Sequence, residues 1–497
     1  MLERLSVCCV MSMLFPEEKE YSAMAEDAIW AVCDEFTWVL PAHLHGDKTP
    51  QENVTRIDLF AAQTATALVT AKYILRDRLN NRVVQRIDYE LDRRIIQPFM
   101  NRNFWWEEKK NNWAAVCAGG VGTVFMYQRP ELFCKVRKRI DGAMGCFLAG
   151  YNDDGFCMEG TDYWEFGFGN FCRYAEELRQ FTGGEKNYFN DKKVKEIALY
   201  RQRVYMRENR LVSIADSTGR TSCALWLPCF LKTVYPGDAV VFAAEENVST
   251  ASLYDVACEL IYYDKSMLTP YRQKEGTVYF ENSGVFIRKT NNYSACIKAG
   301  NNDEPHNHND VGSFAISVPS GDVLCDIGVG YYNYKYFSDS RYDIFCTSSQ
   351  GHSVPVINGK GQRAGAEYNG KMRAVKNGAE VEFGGAYGIK ELKSLKRRLE
   401  FYDAEIILTD TFDAAADCDV TERFISGVKP MVSGCCVSVG DAVLEYGGEW
   451  RCKISEHIHI APGGGRITYY SMDFTPKAAA ADFRMIIKTG GNRECIN

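Results

Sequence analysis

The spacing of apolar residues changes near Pro270, and this change limits the fold more than any other feature. Before Pro270, apolar residues recur at three- and four-residue steps, as from Ile57 to Leu75, and no long strand-like alternation competes with them. After Thr277 the sequence turns to short β-rich runs punctuated by Gly, Asn and Asp. The pattern predicts antiparallel helices over residues 1–270 and an antiparallel β-sandwich over residues 271–497.

The same spacing predicts individual elements. Helices are expected over 21–39, 57–75, 84–97, 112–127, 174–181, 194–205 and 251–262, with Pro98 ending the third of them. Strands are expected over 278–280, 285–288, 314–318, 323–325, 405–408, 467–470 and 485–488. The apolar stretch from Leu5 to Phe15 is interpreted as a core helix, because no positive leader precedes it and no cleavage pattern follows it.

Length and charge narrow the function classes. A chain of 497 residues is too long for a single core, so two or three domains are expected. The net charge of −7 argues against a general nucleic-acid binder or a membrane-surface protein. A polyanionic substrate would therefore need a local groove of well-placed Arg, Lys and amide groups.

The cysteines indicate the compartment. There are 19, an odd number without a CxxC pair, and neighbours such as Cys8 and Cys9 do not resemble a disulfide framework. Mostly buried thiols in a reducing compartment fit this pattern. Because no apolar run is long enough to span a bilayer, the sequence predicts a cytoplasmic protein.

A histidine cluster is the strongest candidate for chemistry. Three of the seven histidines lie between His306 and His352. If His306 and His308 lie on a strand, their spacing of two puts both side chains on one face. His308, Asp326 and His352 then offer two imidazoles and a carboxylate to a divalent ion, zinc first and manganese or calcium next. His306 stays available as an acid, base or charge stabiliser, unless all four are ordinary polar residues at strand ends.

A second candidate lies among the predicted helices. Trp105-Trp106 and Asn111-Asn112-Trp113 combine aromatic faces, which stack on sugar rings, with amides that can donate to a carboxylate. The competing interpretation is that the tryptophans belong to the core and the asparagines cap a helix.

A third candidate is the acidic run from Asp153 to Trp164. One interpretation pairs Glu159 with Asp154 or Asp162 as the acid and base of a glycoside hydrolase. Another makes Tyr163 a proton shuttle, and the plainest is a solvated acidic loop.

Taken in order, these motifs resemble the heparinase II/III-like family of polysaccharide lyases. The matching residues run from about 20 to 365 and include Ile57-Asp58-Leu59-Phe60-Ala61-Ala62, Asn111-Asn112-Trp113, Glu159-Gly160, Tyr163, His306-Asn307-His308-Asn309-Asp310-Val311-Gly312-Ser313-Phe314, Asp326-Ile327-Gly328, Arg341-Tyr342, His352-Ser353 and Asn358-Gly359. The resemblance implies an incomplete (α/α) toroid followed by an antiparallel β-sandwich, with an active site in the cleft between them. It also implies β-elimination at a uronic acid, a carbon–oxygen lyase reaction.

The resemblance also assigns roles. Asn112 matches the amide that neutralises the uronate carboxylate, with Asn111, Trp113 and Glu159 as neighbouring substrate contacts. Tyr163 and His306 match the proton-transfer residues, and which of them removes the C5 proton stays open. Tyr336 and Arg341 are expected to contact sugars, whereas His308, Asp326 and His352 match a metal set that shapes the floor of the site.

The expected partner is an anionic polysaccharide or oligosaccharide, with no nucleic acid, no membrane and room for a homo-oligomer. A glycosaminoglycan is the first substrate hypothesis, and alginate or an exopolysaccharide comes next. The rivals are the glycoside hydrolase and a glycan-binding paralogue without activity.

Overall fold

A computed structural model describes residues 1–44, 46, 48–415, 418–477 and 482–490. The chain forms two compact units. The first consists of Met1–Tyr151, Trp164–Leu199 and Ser222–Pro270, and the second of Asn152–Tyr163, Tyr200–Thr221 and Tyr271–Asn497. The expected division into 1–270 and 271–497 differs from this in one respect: two segments from before Pro270 belong to the second unit.

The first unit is mainly helical. Its helices are α1 (Leu2–Leu14), α2 (Lys19–Asp34), α3 (Pro50–Val54), α4 (Leu59–Leu75), α5 (Asn81–Leu91), α6 (Gln97–Asn101), α7 (Asn112–Gln128), α8 (Pro130–Leu148), most of α9 (Thr161–Phe181), α10 (Lys192–Ala198), α12 (Trp226–Val234) and α13 (Leu253–Tyr262), while α11 (Tyr200–Arg203) belongs to the second unit. A short parallel pair, β3 (Val241–Phe242) and β4 (Leu268–Thr269), completes the first unit.

Local signals explain where two of these helices begin. Asp58 caps α4 by accepting a hydrogen bond from the backbone N–H of Ala61 at 2.7 Å, and Asn111 caps α7 through the N–H of Trp113 at 3.2 Å. Both helices are rich in small buried residues, which lets them pack closely against each other. Capping by Asn111 fixes the position of the neighbouring Asn112 in the first turn of α7.

Other helix predictions had mixed outcomes. The core helix expected near the N-terminus is confirmed, since α1 buries Leu5, Cys8 and Cys9. The prediction that Pro98 ends a helix is wrong. Helix α5 passes through a π-helical turn into α6. Pro98 stands in the first turn of α6, where its missing N–H is tolerated. Helices α3, α8 and α12 were not predicted.

The second unit is built of antiparallel sheets. Its strands are β1 (Tyr205–Arg207), β2 (Arg210–Leu211), β5 (Gly276–Phe280), β6 (Val285–Lys289), β7 (Ser294–Lys298), β8 (Gly300–Asn302), β9 (Phe314–Val318), β10 (Gly321–Leu324), β11 (Val356–Ile357), β12 (Gly365–Val375), β13 (Gly378–Glu382), β14 (Leu392–Phe401), β15 (Glu405–Ala414), β16 (Val420–Ser426), β17 (Met431–Ser433), β18 (Cys436–Val439), β19 (Ala442–Tyr446), β20 (Trp450–Ile460), β21 (Arg466–Pro476) and β22 (Asp482–Thr489). The larger sheets have the orders β10-β9-β7-β6-β5, β11-β16-β21-β20 and β17-β18-β19-β22-β15-β14-β13-β12-β8. All seven predicted strand segments overlap observed strands.

Period-two alternation builds the core of this unit. In β14 and β15, buried residues such as Leu395, Leu399 and Leu408 alternate with more exposed ones along each strand. Arg397 lies in this core, where it pairs with Asp410 and donates to the backbone carbonyls of Gly312 and Ser353. The core thereby holds two loop segments next to the histidine cluster.

None of the helices in the described part of the chain combines the length and the apolar character needed to cross a membrane.

Candidate active site

The segment that carries His306 and His308 is a loop between β8 and β9, so the condition under which both histidines would share a strand face is not met. The backbone of His306 has φ +58°, a left-handed conformation that is costly for a residue with a Cβ. This turn sends the chain in a new direction between the two histidines. Their rings nevertheless meet at one group, which the sequence motifs did not include.

That group is Asp216, a buried carboxylate in the loop after β2. Oδ2 accepts from His306 Nδ1 at 3.0 Å, and Oδ1 accepts from His308 Nε2 at 3.0 Å. Two further oxygen donors complete the set, Tyr332 to Oδ2 at 3.1 Å and Tyr336 to Oδ1 at 2.7 Å. The Arg341 guanidinium contacts both oxygens, at 3.1 and 3.0 Å.

The charge of Asp216 fixes the hydrogen positions around it. Burial opposes ionisation, but hydrogen bonds from His306 and His308, together with the Arg341 charge, hold the pKa of Asp216 well below its usual range. An ionised carboxylate only accepts hydrogen bonds, so His306 Nδ1 and His308 Nε2 must each carry a proton. This leaves Nε2 of His306 and Nδ1 of His308 as the nitrogens that can hold a lone pair.

Tyr163 lies beside His306. Its ring stacks on the imidazole with centroids 3.9 Å apart and an interplanar angle of 21°. The two phenol oxygens of Tyr163 and Tyr332 are 2.7 Å apart, and because Tyr332 donates to Asp216, Tyr163 is the donor between them. Burial raises the pKa of Tyr163 well above its ordinary value, although the contact with Tyr332 acts in the opposite direction. A tyrosine that acts as a base needs a pKa below its ordinary value near 10, and the structure instead raises the pKa of Tyr163.

Two glycines bring the surrounding loops close to Asp216. Gly160 has φ +95°, and a Cβ there would lie 2.6 Å from Ser217 Cβ; Gly328 has φ +72°, and a Cβ there would lie 2.2 Å from Ser217 O. Glu159, just before Gly160, is buried with Oε2 3.7 Å from His306 Nε2. The segments carrying Glu159, Tyr163 and Asp326 therefore all pack on the loop that carries Asp216.

Tyr336 and Arg341, which were expected to contact sugars, instead form hydrogen bonds with protein groups. Tyr336 is fully buried, and its hydroxyl is used by Asp216. The Arg341 side chain is about one-eighth exposed, and it also donates to the backbone carbonyls of His306 and Asn307, each at 3.1 Å. Both residues support Asp216 and the histidine loop.

The predicted metal set comes together in the second unit. His308, Asp326 and His352 are buried, and each offers a ligand atom within 4.8 Å of the others. Nδ1 of His308 is buried without a hydrogen-bond partner among the described residues. His352 Nδ1 lies 3.0 Å from Asp326 Oδ2, while its Nε2 lies 2.8 Å from the Cys346 carbonyl. Each histidine thus has its outer nitrogen bonded to an oxygen acceptor, the arrangement that orients metal-binding imidazoles.

In the helical unit, Asn111, Asn112 and Trp113 have different hydrogen-bond and packing partners. Asn111 is used as the cap of α7, whereas Asn112 is 2% exposed and its side-chain oxygen has no hydrogen-bond partner among the described residues. Trp113 packs on Trp105 at 4.7 Å and on His43 at 4.9 Å between ring centroids. The Nδ1 of His43 is fixed at 2.7 Å from Asp58 Oδ2, a contact that the sequence motifs did not predict.

Comparison with known proteins shows which solved structures have a similar fold. Neither the family models nor the curated proteins include a match to this sequence. Among solved structures, the heparan sulfate lyase HepC from Pedobacter heparinus matches with a TM-score of 0.64 at 11% identity, over 99% of this chain and 77% of that one. A heparinase III structure matches with a TM-score of 0.64 at 12% identity, over 95% and 74%. The fold of this chain is similar to that of heparinase III.

A chondroitin AC lyase of Streptomyces coelicolor A3, solved with chondroitin sulphate, is also similar, with a TM-score of 0.53, 10% identity, and 99% and 79% coverage. The resemblance drawn from the sequence motifs is therefore confirmed for the fold. At such low identity, the roles of individual residues depend on the geometry described above.

Asp216 is the functional candidate that sequence reasoning missed, and Tyr332 is a residue that matches the lyase family but was given no role. Asp216 stands in Ala215-Asp216-Ser217-Thr218-Gly219, which looks like an ordinary turn. Tyr332 lies inside the matched region but carries no distinctive spacing. The one unusual local feature is the left-handed φ of +51° at Ala215, and that is visible only in the structure.

Proposed function

We propose that this protein is a polysaccharide lyase that cleaves uronic-acid-containing glycans by β-elimination. The observation that carries the proposal is the pair formed by Tyr163 and His306, stacked at 3.9 Å, with His306 anchored on the buried Asp216. The fold supports it, since the similar structures are named as a heparan sulfate lyase, a heparinase III and a chondroitin AC lyase. A glycosaminoglycan is the first substrate class to test, followed by alginate and exopolysaccharides.

The reaction needs three functions. A base removes the proton from C5 of the uronate, the electron pair forms the C4–C5 double bond, and the C4–O bond breaks as the leaving oxygen receives a proton. The C5 proton is weakly acidic until hydrogen bonds neutralise the neighbouring carboxylate, so that negative charge can spread into it.

His306 is assigned as the base. Asp216 holds the proton on Nδ1, so the lone pair of the neutral ring is on Nε2, as in the Asp–His pairs of other enzymes. Once Nε2 has taken the C5 proton, Glu159 Oε2 at 3.7 Å stabilises the resulting positive charge.

Tyr163 is assigned as the acid. Burial raises its pKa, so the phenol keeps its proton at neutral pH and has one to give to the leaving oxygen. The cycle closes when the protonated His306 releases the C5 proton and Tyr163 recovers a proton from water.

Asn112 is assigned to the uronate carboxylate. Its amide is not used for capping, in contrast to Asn111, and an amide is a neutral hydrogen-bond donor suited to that carboxylate. Trp113, already packed on Trp105, offers an aromatic face for a sugar ring. Three residues are assigned to support the site: Asn111 caps α7, and Tyr336 and Arg341 bind Asp216.

The donor atoms of His308, Asp326 and His352 fit a divalent metal ion, zinc first. Two imidazole nitrogens and one carboxylate oxygen match zinc chemistry, and the unpartnered Nδ1 of the buried His308 would gain a ligand bond. A bound ion would supply positive charge that holds these three buried groups together, and the three residues provide its site.

The proposal extends to how the helices and the sheets are arranged within each unit. We infer that the helices of the first unit form an incomplete (α/α) toroid and that the large sheets of the second form a β-sandwich. The cytoplasmic location is likewise proposed, supported by the odd number of 19 cysteines in the sequence without a CxxC pair. A cytoplasmic lyase would meet oligosaccharides, which favours exo-acting cleavage.

The glycoside hydrolase rival is weakened by how its carboxylates are used. Asp154 accepts hydrogen bonds from the N–H and hydroxyl of Ser283, and Asp162 accepts one from the Thr218 N–H. Glu159 is therefore left without a second carboxylate dedicated to acid–base chemistry.

Ultraviolet absorbance of an unsaturated uronate tests the proposal. Purified protein supplied with zinc is incubated with glycosaminoglycans, alginates and their oligosaccharides, and at least one should give the new absorbance. No signal across the panel would contradict lyase activity, and products without a double bond would favour the hydrolase.

Hydrogen exchange at C5 tests the two assignments. With His306 as base, Tyr163→Phe should lose about 10²- to 10⁴-fold in kcat for elimination. In D₂O this variant should still exchange the C5 hydrogen, whereas His306→Gln should lose both reactions. Tyr331→Phe, which alters the exposed neighbour of Tyr332, is the matched control. Exchange retained by His306→Gln and lost by Tyr163→Phe would reverse the assignment.

A further inference from the structure

We propose that Asp216 is a positioning residue that uses one carboxylate to orient both His306 for elimination and His308 for the metal. Zinc affinity and turnover then depend on the same buried group. This inference rests on the proposed lyase function for its turnover half, while its metal half can be measured without any substrate.

The two oxygens of Asp216 serve two sets of neighbours. Oδ2 accepts from His306 and Tyr332, the groups linked to proton transfer, and Oδ1 accepts from His308 and Tyr336. Arg341 donates to both oxygens, so it balances the buried charge and sets the orientation of the carboxylate plane. Rotation of this one side chain would disturb both histidines together.

The loop that carries Asp216 is fixed from two sides. Thr161 Oγ1 lies 2.8 Å from Ser217 Oγ, and the N–H of Thr218 donates to Asp162 at 2.9 Å, which ties the loop to the start of α9. On the other side, the N–H of Val329 donates to the Ser217 carbonyl at 3.3 Å. Asp216 is therefore held by a scaffold that also carries Tyr163 and Asp326, a condition for precise positioning.

His306 needs such support. Its left-handed backbone costs on the order of 1–3 kcal/mol and persists only where neighbours enforce it. Arg341 donates to the carbonyls of His306 and Asn307 and at the same time to Asp216. The backbone and the ring of His306 are thus fixed through the same ion pair.

The informative variant is Asp216→Asn. An asparagine keeps the shape of the aspartate side chain but replaces one acceptor oxygen by an NH₂ group, which is a donor. Because the neighbours of Asp216 are themselves donors, the NH₂ group and the neighbours that face it would be buried without a hydrogen bond. Loss of a group that orients a metal ligand commonly costs 10- to 100-fold in metal affinity or activity. We expect Asp216→Asn to raise the zinc Kd about 10- to 100-fold and to lower kcat by a similar factor, with a change in KM below about threefold.

The experiment measures the zinc Kd by chelator competition, kcat and KM on the best substrate, and the thermal unfolding midpoint. Asp473→Asn is the matched control, because Asp473 also binds an arginine, Arg423, through both oxygens at 2.7 and 2.8 Å. This control should keep the wild-type zinc Kd and kcat. A zinc Kd or a kcat in Asp216→Asn equal to wild type would overturn the inference, as would a wild type that binds no divalent ion.

Two milder variants keep the test decisive if Asp216→Asn does not fold. Tyr332→Phe removes a donor from Oδ2 and should lower kcat with an unchanged zinc Kd. Tyr336→Phe removes a donor from Oδ1 and should weaken zinc binding more than it lowers kcat. The reverse pattern, or no separation, would contradict the division of the carboxylate. Failure of the lyase function would instead appear in the wild type, as no turnover with normal zinc binding.

Discussion

The helical unit and the sheet unit organise their candidate residues in different ways. In the helical unit, Asn111, Asn112 and Trp113 are consecutive, and the hydrogen bond that fixes them spans two residues at the start of α7. In the sheet unit, the groups around Asp216 come from segments up to 125 residues away in sequence. A local motif can be read directly from the chain, whereas a network of this kind exists only once the loops have been packed.

Loss of a metal ligand should give the largest effect and tests the dispersed network directly. His308→Ala removes one of the three proposed ligand atoms and should weaken zinc binding by more than the ~100-fold that the loss of a supporting group costs. Metal content and chelator competition measure it. His457→Ala is the control, because His457 lies 2.9 Å from the Ser471 hydroxyl, outside the cluster. An unchanged zinc Kd in His308→Ala would remove His308 from the set.

The asparagine pair tests whether the local motif has two separable functions. Asn112→Ala should lower kcat/KM by about 10²-fold, the lower end of the cost of losing a group that stabilises developing charge. Asn111→Ala should instead cost about 1 kcal/mol of unfolding free energy through the lost cap, with little change in kcat/KM. Steady-state kinetics and denaturant unfolding, applied to both variants, give the comparison. Equal kinetic losses in the two would show that the motif acts only through helix position.

The smallest expected effect concerns pH and Glu177, a half-buried carboxylate of the helical unit. Burial raises the pKa of Glu177 to about 7, although Thr123 and Tyr254 donate hydrogen bonds to it. A carboxyl with a raised folded-state pKa contributes stability below its ordinary pKa near 4.5, and this stability is lost as pH rises through 7.

Glu177→Gln should therefore raise the unfolding midpoint relative to wild type at pH 8 by a few degrees, and by less at pH 5. Scanning calorimetry at the two pH values measures the difference, with the exposed Glu131→Gln as the control. An equal shift at both pH values would show that ionisation of Glu177 is not the cause.

Several features could be predicted because they depend on local rules. Every strand segment predicted from short β-rich runs overlaps an observed strand. Spacing of three to four residues predicted α4, α7 and α13. The metal set His308, Asp326 and His352 was also named in advance, and the structure brings the three side chains together. Spacing alone could not exclude a strand at His306, because it cannot reveal a left-handed turn at a residue with a Cβ.

The sequence by itself determined the order of a helical region and a β region, the type of each candidate residue, and the resemblance to heparinase-type lyases. Only the tertiary structure decided that Asp216 joins both histidines and that Tyr336 is buried with its hydroxyl on Asp216. It also decided that the pKa of Tyr163 is raised. The physical reason is that hydrogen-bond partners and desolvation depend on which distant segments pack together, and no local pattern in the chain records that.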